Sequence, residues 1–301
     1  MACCANLQFG KRLSKIEMTE SGPIAYFEDG TSEAGTILIG ADGNASFVRK
    51  WLLGDAAEPQ TLPYAFMNFP VTYTAEQARY IDKTMHPIVD VGIHPKNMYI
   101  GFFQLDKPDL ERPETWIFYI LASWPIASRE DEENTGNRLQ RLRNHMDDWA
   151  DPFKSAVAWV PDGTEIKPDK LKVWVPSPWD NHGGRVTLAG DAAHSMTFRE
   201  FTSSSNRLLA SNLFSDRGQG GNNALRDSER FVNACLAIQK GELSTKEAID
   251  KYDKDVYTRG KTEVEMSTLQ THATHDHANY LNPDKSPLVK HGIKPSIQVD
   301  P

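Results

Sequence analysis

The sequence has no long apolar run and little cysteine. No stretch approaches the roughly 20 consecutive apolar residues of a membrane-spanning helix, and residues 1–10 contain no apolar core of the kind that secretion signals carry. The cysteines are Cys3, Cys4 and Cys235, an odd set with two adjacent members. Such a set does not indicate a disulfide framework. We therefore expect a reducing, cytoplasmic setting and no membrane segment.

Basic residues are fewer than acidic ones. The chain has 33 Lys and Arg against 41 Asp and Glu, a formal net charge of -8. Proteins that bind nucleic acid through its phosphates concentrate Lys and Arg on one face, so this balance argues against a nucleic-acid partner. Hydrophobic residues make up 39% and charged residues 25%, which is ordinary for a globular protein. The length of 301 residues indicates one large domain or two smaller ones.

Two strand-like runs precede a first acidic turn. Residues 24–27 form a short apolar run, and the Asp29-Gly30 pair after it is a turn signal between two strands. The second run, residues 36–39, is continuously apolar, which predicts a strand covered on both faces. It leads into Gly40-Ala41-Asp42-Gly43, so a carboxylate and a glycine follow the end of the strand.

The middle of the chain has a different pattern. Residues 88–93, 98–104 and 116–123 are aromatic and β-branched runs separated by Pro, Asn and Asp clusters. This predicts an antiparallel sheet rather than strands alternating with helices, and we expect the sheet to form the floor of a ligand pocket. Residues 138–149 are predicted to form a helix.

The second half alternates one strand with helices. Residues 185–188 are predicted to form a strand that runs into Gly190-Asp191-Ala192-Ala193-His194. Apolar spacing predicts a helix over residues 222–240, which ends at Gly241. Ser244 and Glu247 form a capping-box pattern for a further helix, whose apolar face continues through Ile249, Tyr252 and Val256. Beyond about residue 282 we expect a loose tail.

The first motif, residues 40–49, places an acid and a glycine at a strand end, where open α/β sheets bind ligands. Gly43 permits a tight turn and a close backbone approach, and Arg49 can pair with Asp42 or with phosphate. A helix cap by Asp42 is an equal alternative on spacing alone. The stretch resembles the second fingerprint of the para-hydroxybenzoate hydroxylase-like, FAD-dependent aromatic-ring monooxygenases. That resemblance implies that Asp42, Gly43 and Arg49 lie at the cofactor site.

The second motif, residues 188–195, repeats this arrangement. A strand ends at Gly190, and Asp191 presents a carboxylate that can accept hydrogen bonds from a diol. The run resembles the family's third fingerprint, in which the aspartate binds the ribityl chain of the flavin, so Gly190, Asp191 and Ala192 are cofactor candidates. His194 is interpreted as a structural residue, because a lone His needs a positioned partner to act as a base.

A glycine-rich helix start follows. Glycines that lead into a helix expose backbone N–H groups, which together with the helix dipole favour an anion. Reduced flavin carries negative charge on its pyrimidine side, and in the family these residues surround the flavin ring. The candidates are Gly218, Gln219, Gly220, Gly221 and Asn222. The alternative is an ordinary glycine-rich helix entry.

The chain departs from the family pattern in two places. No glycine-rich strand–helix–strand fingerprint occurs near the start, so we expect that roughly the first quarter to third of a typical member is missing. Residues 200–217 separate the third fingerprint from the glycines that follow it almost directly in relatives. They are polar and Ser-rich, and a retained intron or a faulty gene model is our hypothesis for them.

The resemblance implies an α/β fold: a partial, Rossmann-like FAD- and NAD(P)-binding portion, an antiparallel substrate sheet and C-terminal helices. The implied divisions are residues 1–60 and 176–241 for FAD, 61–175 for substrate, and 242–301 for the C-terminal helix and tail.

The implied activity is that of a fungal-type monooxygenase of secondary metabolism. NAD(P)H reduces FAD, O2 forms a flavin C4a-hydroperoxide, and a small aromatic or polyketide- or terpenoid-like substrate is hydroxylated or epoxidised. No protein general base is assigned. The alternatives are a non-catalytic remnant that no longer binds flavin and a non-oxygenating flavin oxidoreductase.

Two further clusters admit more than one interpretation. His272, His275 and His277 have conceivable metal-ligand spacing, but a polar helix end is favoured and no metal site is predicted. Five tryptophans can line an aromatic substrate pocket or belong to the core, and the core is favoured. They are Trp116, Trp124, Trp159, Trp174 and Trp179.

Overall fold

The computed structural model describes residues 6–128, 137–197, 219–280 and 282. The chain mixes helices with largely antiparallel sheets, as the sequence predicts. It divides into two compact units. Unit 1 comprises Met1–Gln60, Trp174–Met196 and Gly218–Glu265, and unit 2 comprises Thr61–Val173, Thr197–Arg217 and Met266–Pro301. The predicted insertion at residues 200–217 lies outside the described residues.

Unit 1 begins with an antiparallel sheet of three strands. These are β1 (Leu13–Met18), β2 (Pro23–Phe27) and β3 (Ser32–Ala34), in that order. The predicted Asp-Gly turn is present, since Phe27 N–H donates to the Thr31 carbonyl at 2.9 Å and Asp29 accepts from the backbone N–H of Thr31 at 3.0 Å. The strand after the turn is β3, however, and not the apolar run at residues 36–39.

That apolar run contributes instead to a parallel pair. Strand β4 (Leu38–Gly40) pairs in parallel with β10 (Val186–Leu188). All three residues of β10 are fully buried. The prediction that β4 is covered on both faces is wrong for Ile39, which is 36% exposed, because a side chain in the middle of a strand points to only one of its faces.

Three helices complete unit 1. They are α1 (Phe47–Leu53), α5 (Gln219–Gln239) and α6 (Thr245–Thr274), and α6 continues from Met266 into unit 2. The capping box is confirmed: Glu247 accepts from Ser244 N–H at 3.0 Å, and Ser244 Oγ accepts from Glu247 N–H at 3.3 Å. The predicted apolar face of α6 is also confirmed, and it packs into the core of unit 1 with residues of β10 and α1.

Unit 2 is built on a sheet of five strands. Their order is β6-β7-β8-β5-β9, and the register is antiparallel for β5–β8, β6–β7 and β7–β8. This confirms the antiparallel sheet predicted for the middle of the chain. The strands are β5 (Gln60–Val71), β6 (Val89–His94), β7 (Met98–Asp106), β8 (Ile117–Pro125) and β9 (Asp169–Val173).

Helices cover one face of this sheet. They are α2 (Ala75–Thr84), α3 (Arg138–His145) and α4 (Phe153–Ala158), and a short α7 (His277–Tyr280) follows α6. The helix predicted over residues 138–149 ends at His145, and the Trp149 side chain turns into the core at 8% exposure. Acidic residues at positions 147 and 148 oppose continuation, because negative charge is unfavourable at a helix C-terminus.

The tryptophans are core residues, as favoured from the sequence. Trp116 and Trp124 lie in the core of unit 2, and Trp159 packs against it. Trp174 is 4% exposed, and Trp179 packs against the core of unit 1. No helix within the described ranges has the length and apolar character needed to cross a membrane.

Candidate functional site

The two acidic motifs leave the same edge of the parallel pair. Gly40 is the last residue of β4 and pairs with Leu188, the last residue of β10. Ala189 N–H then donates to the Gly40 carbonyl at 2.9 Å. Because parallel strands end at a common edge, both motifs begin side by side, although about 150 positions separate them in the chain.

Asp42 caps helix α1. Its Oδ1 accepts from Ser46 Oγ at 2.5 Å, and its Oδ2 accepts from the backbone N–H of Phe47 at 2.7 Å and of Val48 at 3.2 Å. Gly43 has φ +84°, where a side chain is strained, and open space surrounds its position. The capping role weighed from the sequence is therefore present in the structure, and a cofactor role for Asp42 and Gly43 remains a prediction.

Arg49 is a buried cation held by carbonyl oxygens. Its side chain is only 1% exposed. The Nε group donates to the Ala57 carbonyl at 3.1 Å, Nη2 donates to the Asn44 carbonyl, and the guanidinium lies 4.8 Å from the centre of the Trp174 ring. Burial lowers the pKa of Arg49 from its ordinary value, while the charges of Asp42 and Glu58 act in the opposite direction. The ring and the carbonyl dipoles add to this stabilisation of the cation.

The remaining guanidinium nitrogen of Arg49 joins the first motif to the second. Nη1 donates to the backbone carbonyls of Asp191 and Ala192, each at 3.1 Å. The sequence offered Asp42 or phosphate as partners for Arg49. Among the described residues the structure instead gives Arg49 four carbonyl partners and no ion pair. Arg49 is therefore a link between the motifs.

The second motif forms a tight turn of 3₁₀ helix over Gly190–Ala192. Gly190 has φ +60°, and the backbone N–H groups of Ala193 and His194 both donate to its carbonyl at 2.9 Å. The Asp191 side chain is 9% exposed, whereas Ala192 is fully buried. A Cβ at Gly190 would lie 3.6 Å from the Cβ of Ala224, so α5 passes close to this turn.

The glycine-rich segment forms the start of α5. The helix begins at Gln219, three residues earlier than the periodicity predicts, and includes Gly220, Gly221 and Asn222 in its first turn. Gly218 lies outside the described residues. A helix of 21 residues directs the N–H groups of its first turn and the positive end of its dipole toward whatever occupies its N-terminus.

Sequence reasoning assigned no role to Asp227. This fully buried carboxylate of α5 accepts from Gly190 N–H and from His194 Nε2, each at 2.7 Å, and from Arg259 Nη2 at 2.5 Å. Burial by itself raises its pKa, but the hydrogen bond and charge of His194, followed by Arg259 and the Gly190 N–H, outweigh burial and lower it. A faint sequence signal exists, because Asp227 lies four residues from Phe231 on the inward face of α5.

His194 lies in the turn and does have a positioned acid, contrary to the reason given for its structural interpretation, which itself stays a prediction. Its side chain is fully buried against Asp227, and its Nδ1 and the neighbouring Ser195 Oγ have no hydrogen-bond partner in the described part of the chain. Gly260 of α6 leaves no space here, since a Cβ would lie 2.7 Å from the His194 Cβ. His194 is thus enclosed between α5 and α6.

Unit 2 carries a polar line on the sheet face opposite its helix-covered core. Tyr119 donates to Asn68 Oδ1 at 2.6 Å, and Asn68 Nδ2 donates to Asp169 at 2.6 Å. The residues lie on β8, β5 and β9, so the line crosses three strands. Burial raises the pKa of the Tyr119 hydroxyl far above its ordinary value, which leaves it a neutral donor. The expected ligand floor therefore carries a directional hydrogen-bond chain.

The C-terminal histidines are held by other contacts. His275 is 4% exposed, stacks on Tyr64 at 4.1 Å between ring centres, and bonds to Ser123 Oγ at 2.9 Å. His272 Nδ1 forms a hydrogen bond with the Tyr64 hydroxyl at 2.6 Å, and His277 begins α7. No group of three or more His, Cys, Asp or Glu among the described residues is arranged to hold a metal ion.

Sequence comparison identifies relatives, two of which match nearly the whole chain. The FAD-dependent monooxygenase phnB of Penicillium herquei is 30% identical over 303 residues, which cover 98% of this chain and 69% of that protein. The FAD-dependent monooxygenase cctM of Talaromyces islandicus is 28% identical over 291 residues, covering 96% and 68%. The FAD-dependent urate hydroxylase of Klebsiella pneumoniae is 26% identical and covers 74% and 49%. No family model matches the chain.

Solved structures share the fold. Klebsiella pneumoniae HpxO complexed with FAD and uric acid has a TM-score of 0.64 at 21% identity, over 95% of this chain and 64% of that chain. The 2,6-dihydroxypyridine-3-hydroxylase from Arthrobacter nicotinovorans has a TM-score of 0.67 at 16% identity, over 95% and 70%. The chain thus spans about two thirds of these proteins. With two linked acidic strand ends, a glycine-rich helix start and relatives of this kind, the chain belongs to the FAD-dependent monooxygenases.

Proposed function

We propose that this chain carries the flavin-holding and substrate-recognising parts of an FAD- and NAD(P)H-dependent monooxygenase. The reaction is hydroxylation or epoxidation of a small aromatic or polyketide- or terpenoid-like molecule by O2. The observation that carries the proposal is the link through Arg49, which binds the backbone of the second motif from within the first. This link makes one structural unit of the two segments that resemble flavin fingerprints.

The chemistry of the residues in unit 1 fits FAD. Asp191 offers a carboxylate at a strand end, suited to accept hydrogen bonds from ribityl hydroxyls. The first turn of α5, which includes Gly221 and Asn222, presents the positive end of a helix dipole, which suits the pyrimidine side of the flavin. When bound, FAD supplies the redox chemistry, while the protein supplies placement, charge and exclusion of water.

Unit 2 supplies substrate recognition in this proposal. The polar line Tyr119–Asn68–Asp169 lies on a sheet face whose other buried residues include Phe66 and Phe103. Such a surface suits a planar molecule with a hydroxyl or carbonyl group, since apolar contact and one oriented hydrogen bond both contribute. Replacement of Tyr119 by Phe is expected to raise KM more than it lowers kcat. Steady-state kinetics with any substrate that the enzyme converts to product measures both constants.

Titration of the purified chain with FAD tests the proposal. We expect visible flavin bands that remain after gel filtration, flavin-dependent oxidation of NADH or NADPH, and transfer of one atom of labelled O2 to a phenolic product. Asp191→Ala is expected to weaken FAD binding by about tenfold or more, because a buried acceptor for two hydroxyls is lost. Lys50→Met, at an exposed position of α1, is the matched control.

Two outcomes separate the alternatives. A colourless chain that takes up no added FAD would identify a non-catalytic form, which the monooxygenase relatives do not favour. A chain that oxidises NAD(P)H without transferring oxygen to any product would identify a non-oxygenating flavin oxidoreductase. A cytoplasmic location remains a prediction from the three cysteines.

A further inference from the structure

We infer that Asp227 is the positioning residue that holds the cofactor-facing turn Gly190–His194 at both of its ends. The inference rests on the proposed function, since it concerns how Asp191 is presented to a flavin. Asp227 lies on α5, 37 positions from Gly190 and 33 positions from His194. It belongs to neither of the segments that resemble a strand-end fingerprint.

A single oxygen of Asp227 binds both ends of the turn. Oδ2 accepts from the backbone N–H of Gly190, where the turn begins, and from His194 Nε2, where it ends, each at 2.7 Å. Asp191 lies between these two points. The Asp191 backbone therefore has little freedom to rotate while both bonds are made, because Arg49 also binds its carbonyl from the opposite motif at 3.1 Å.

Arg259 of α6 fixes the other carboxylate oxygen. Its Nη2 lies 2.5 Å from Oδ1, and its Nη1 donates to Asn223 at 2.8 Å, one turn before Asp227 on α5. The side chain of Asp227 is fully buried and that of Arg259 is 12% exposed. A buried, fully bonded ion pair holds its geometry better than a neutral contact, because each missing bond would leave a desolvated charge.

The geometry also assigns the tautomer of His194. An ionised carboxylate has no proton to give, so Nε2 carries the hydrogen and donates it to Asp227. Nδ1 has no partner in the described residues, so the contact of the ring with Asp227 is made through Nε2. The Nε2–H group is therefore the one that spans the turn, and Gly260 lies so close to the ring that an added Cβ would be 2.7 Å from the His194 Cβ.

Asp255 provides a matched control on the same arginine. Its carboxylate lies 3.2 Å from Arg259 Nη2 and is 39% exposed, and α6 rather than α5 carries it. Asp227→Asn and Asp255→Asn thus remove the same charge from the same cation. Gly260→Ala is a second probe, because alanine favours the helix while its methyl group displaces His194.

The test combines hydrogen exchange with FAD titration of the full chain. In Asp227→Asn we expect amides of residues 188–196 to exchange about tenfold faster and FAD to dissociate about tenfold more readily, with unchanged far-UV circular dichroism. Gly260→Ala is expected to do the same to a smaller extent, and His194→Gln, which keeps a donor near Nε2, to retain more FAD affinity than His194→Ala. Asp255→Asn is expected to leave both readouts near wild type.

The two proposals fail separately. Wild-type protein that takes up no FAD overturns the proposed function and the flavin role of Asp227, while the exchange data still decide whether the turn is held. If Asp227→Asn exchanges in residues 188–196 like wild type, or if Asp255→Asn has an equal effect, the positioning role is overturned. Equal loss of FAD affinity in His194→Gln and His194→Ala would also contradict it.

Discussion

Arg49 Nη1 lies 3.1 Å from the backbone oxygen of Asp191, a residue 142 positions further along the chain. Helix α1 carries the donor, and the turn after β10 carries the acceptor. The contact is made to the backbone carbonyl of Asp191 and not to its carboxylate. Changes at Arg49 are therefore expected to alter the shape of the second motif without changing any of its residues.

Replacement of Arg49 by Met is expected to destabilise unit 1 by about 3 kcal/mol, because four carbonyls, three of them in buried contacts, lose their donor at once. Arg49→Lys is expected to recover only part of this, since an ammonium cannot reproduce the planar fork or the stacking on Trp174. Urea denaturation followed by Trp fluorescence measures the loss. Lys50→Met, on the neighbouring exposed residue, is expected to change it by less than about 0.5 kcal/mol.

The cap of α1 gives a second prediction. Asp42→Ala is expected to cost about 1–2 kcal/mol of unfolding free energy, because two backbone N–H groups of the first turn lose their acceptor. Asp42→Asn is expected to cost less, because the amide oxygen still accepts. If the two variants are equally stable in urea melts but differ in FAD affinity, the main role of Asp42 is cofactor binding and not capping.

The raised pKa of Asp253 predicts that unit 1 loses stability as pH rises. Burial raises its pKa from the ordinary 3.8 to about 6, against the opposing hydrogen bonds from Thr187 and Asn181 and with some repulsion from Asp250. A raised carboxyl pKa means that the fold binds the proton more tightly than the unfolded chain does. The resulting stabilisation, about 3 kcal/mol, is fully present below pH 3.8 and is lost as pH rises through about 6.

The change of stability with pH is measured by hydrogen exchange of the β10 peptide between pH 4 and 7, corrected for the intrinsic effect of pH. We call this change the pH slope. Asp253→Asn is expected to reduce the pH dependence of stability, whereas Glu20→Gln, at an exposed position, is expected to leave that dependence unchanged. A slope that persists unchanged in Asp253→Asn would assign the pH dependence to another group.

The lowered pKa of His275 predicts that unit 2 loses stability as pH falls. Burial lowers its pKa from 6.5 to about 4, although the hydrogen bonds with Thr271 and Ser123 act in the other direction. The fold therefore favours the neutral ring, and its stabilisation is present above pH 6.5 and lost as pH falls through about 4. The full loss is about 3 kcal/mol.

His275→Gln removes the titrating group and is expected to abolish this loss, as measured by exchange of the β8 peptide from pH 7 to 4. His277→Gln is the matched control two residues away, because only the backbone of His277 bonds to Asn97. Equal slopes in the His275 and His277 variants would contradict the assignment.

The local features of this protein were predictable from its sequence. The Asp29-Gly30 turn, the Ser244–Glu247 capping box and the inward face of α6 each depend on residues within a few positions of one another. Side-chain type and spacing decide such contacts, so they leave a pattern that can be read along the chain. The two acidic motifs belong to the same class, since each is a strand end followed by its own turn.

Only the tertiary structure decided which partners these motifs have. The carbonyls bound by Arg49 and the carboxylate that holds the Gly190–His194 turn lie 142, 37 and 33 positions from the groups they contact. Every residue has a carbonyl, and a buried acid looks the same in sequence as an exposed one, so neither contact leaves a pattern. The parallel pairing of β4 with β10 brought these groups together, because strand pairing depends on the path of the whole chain.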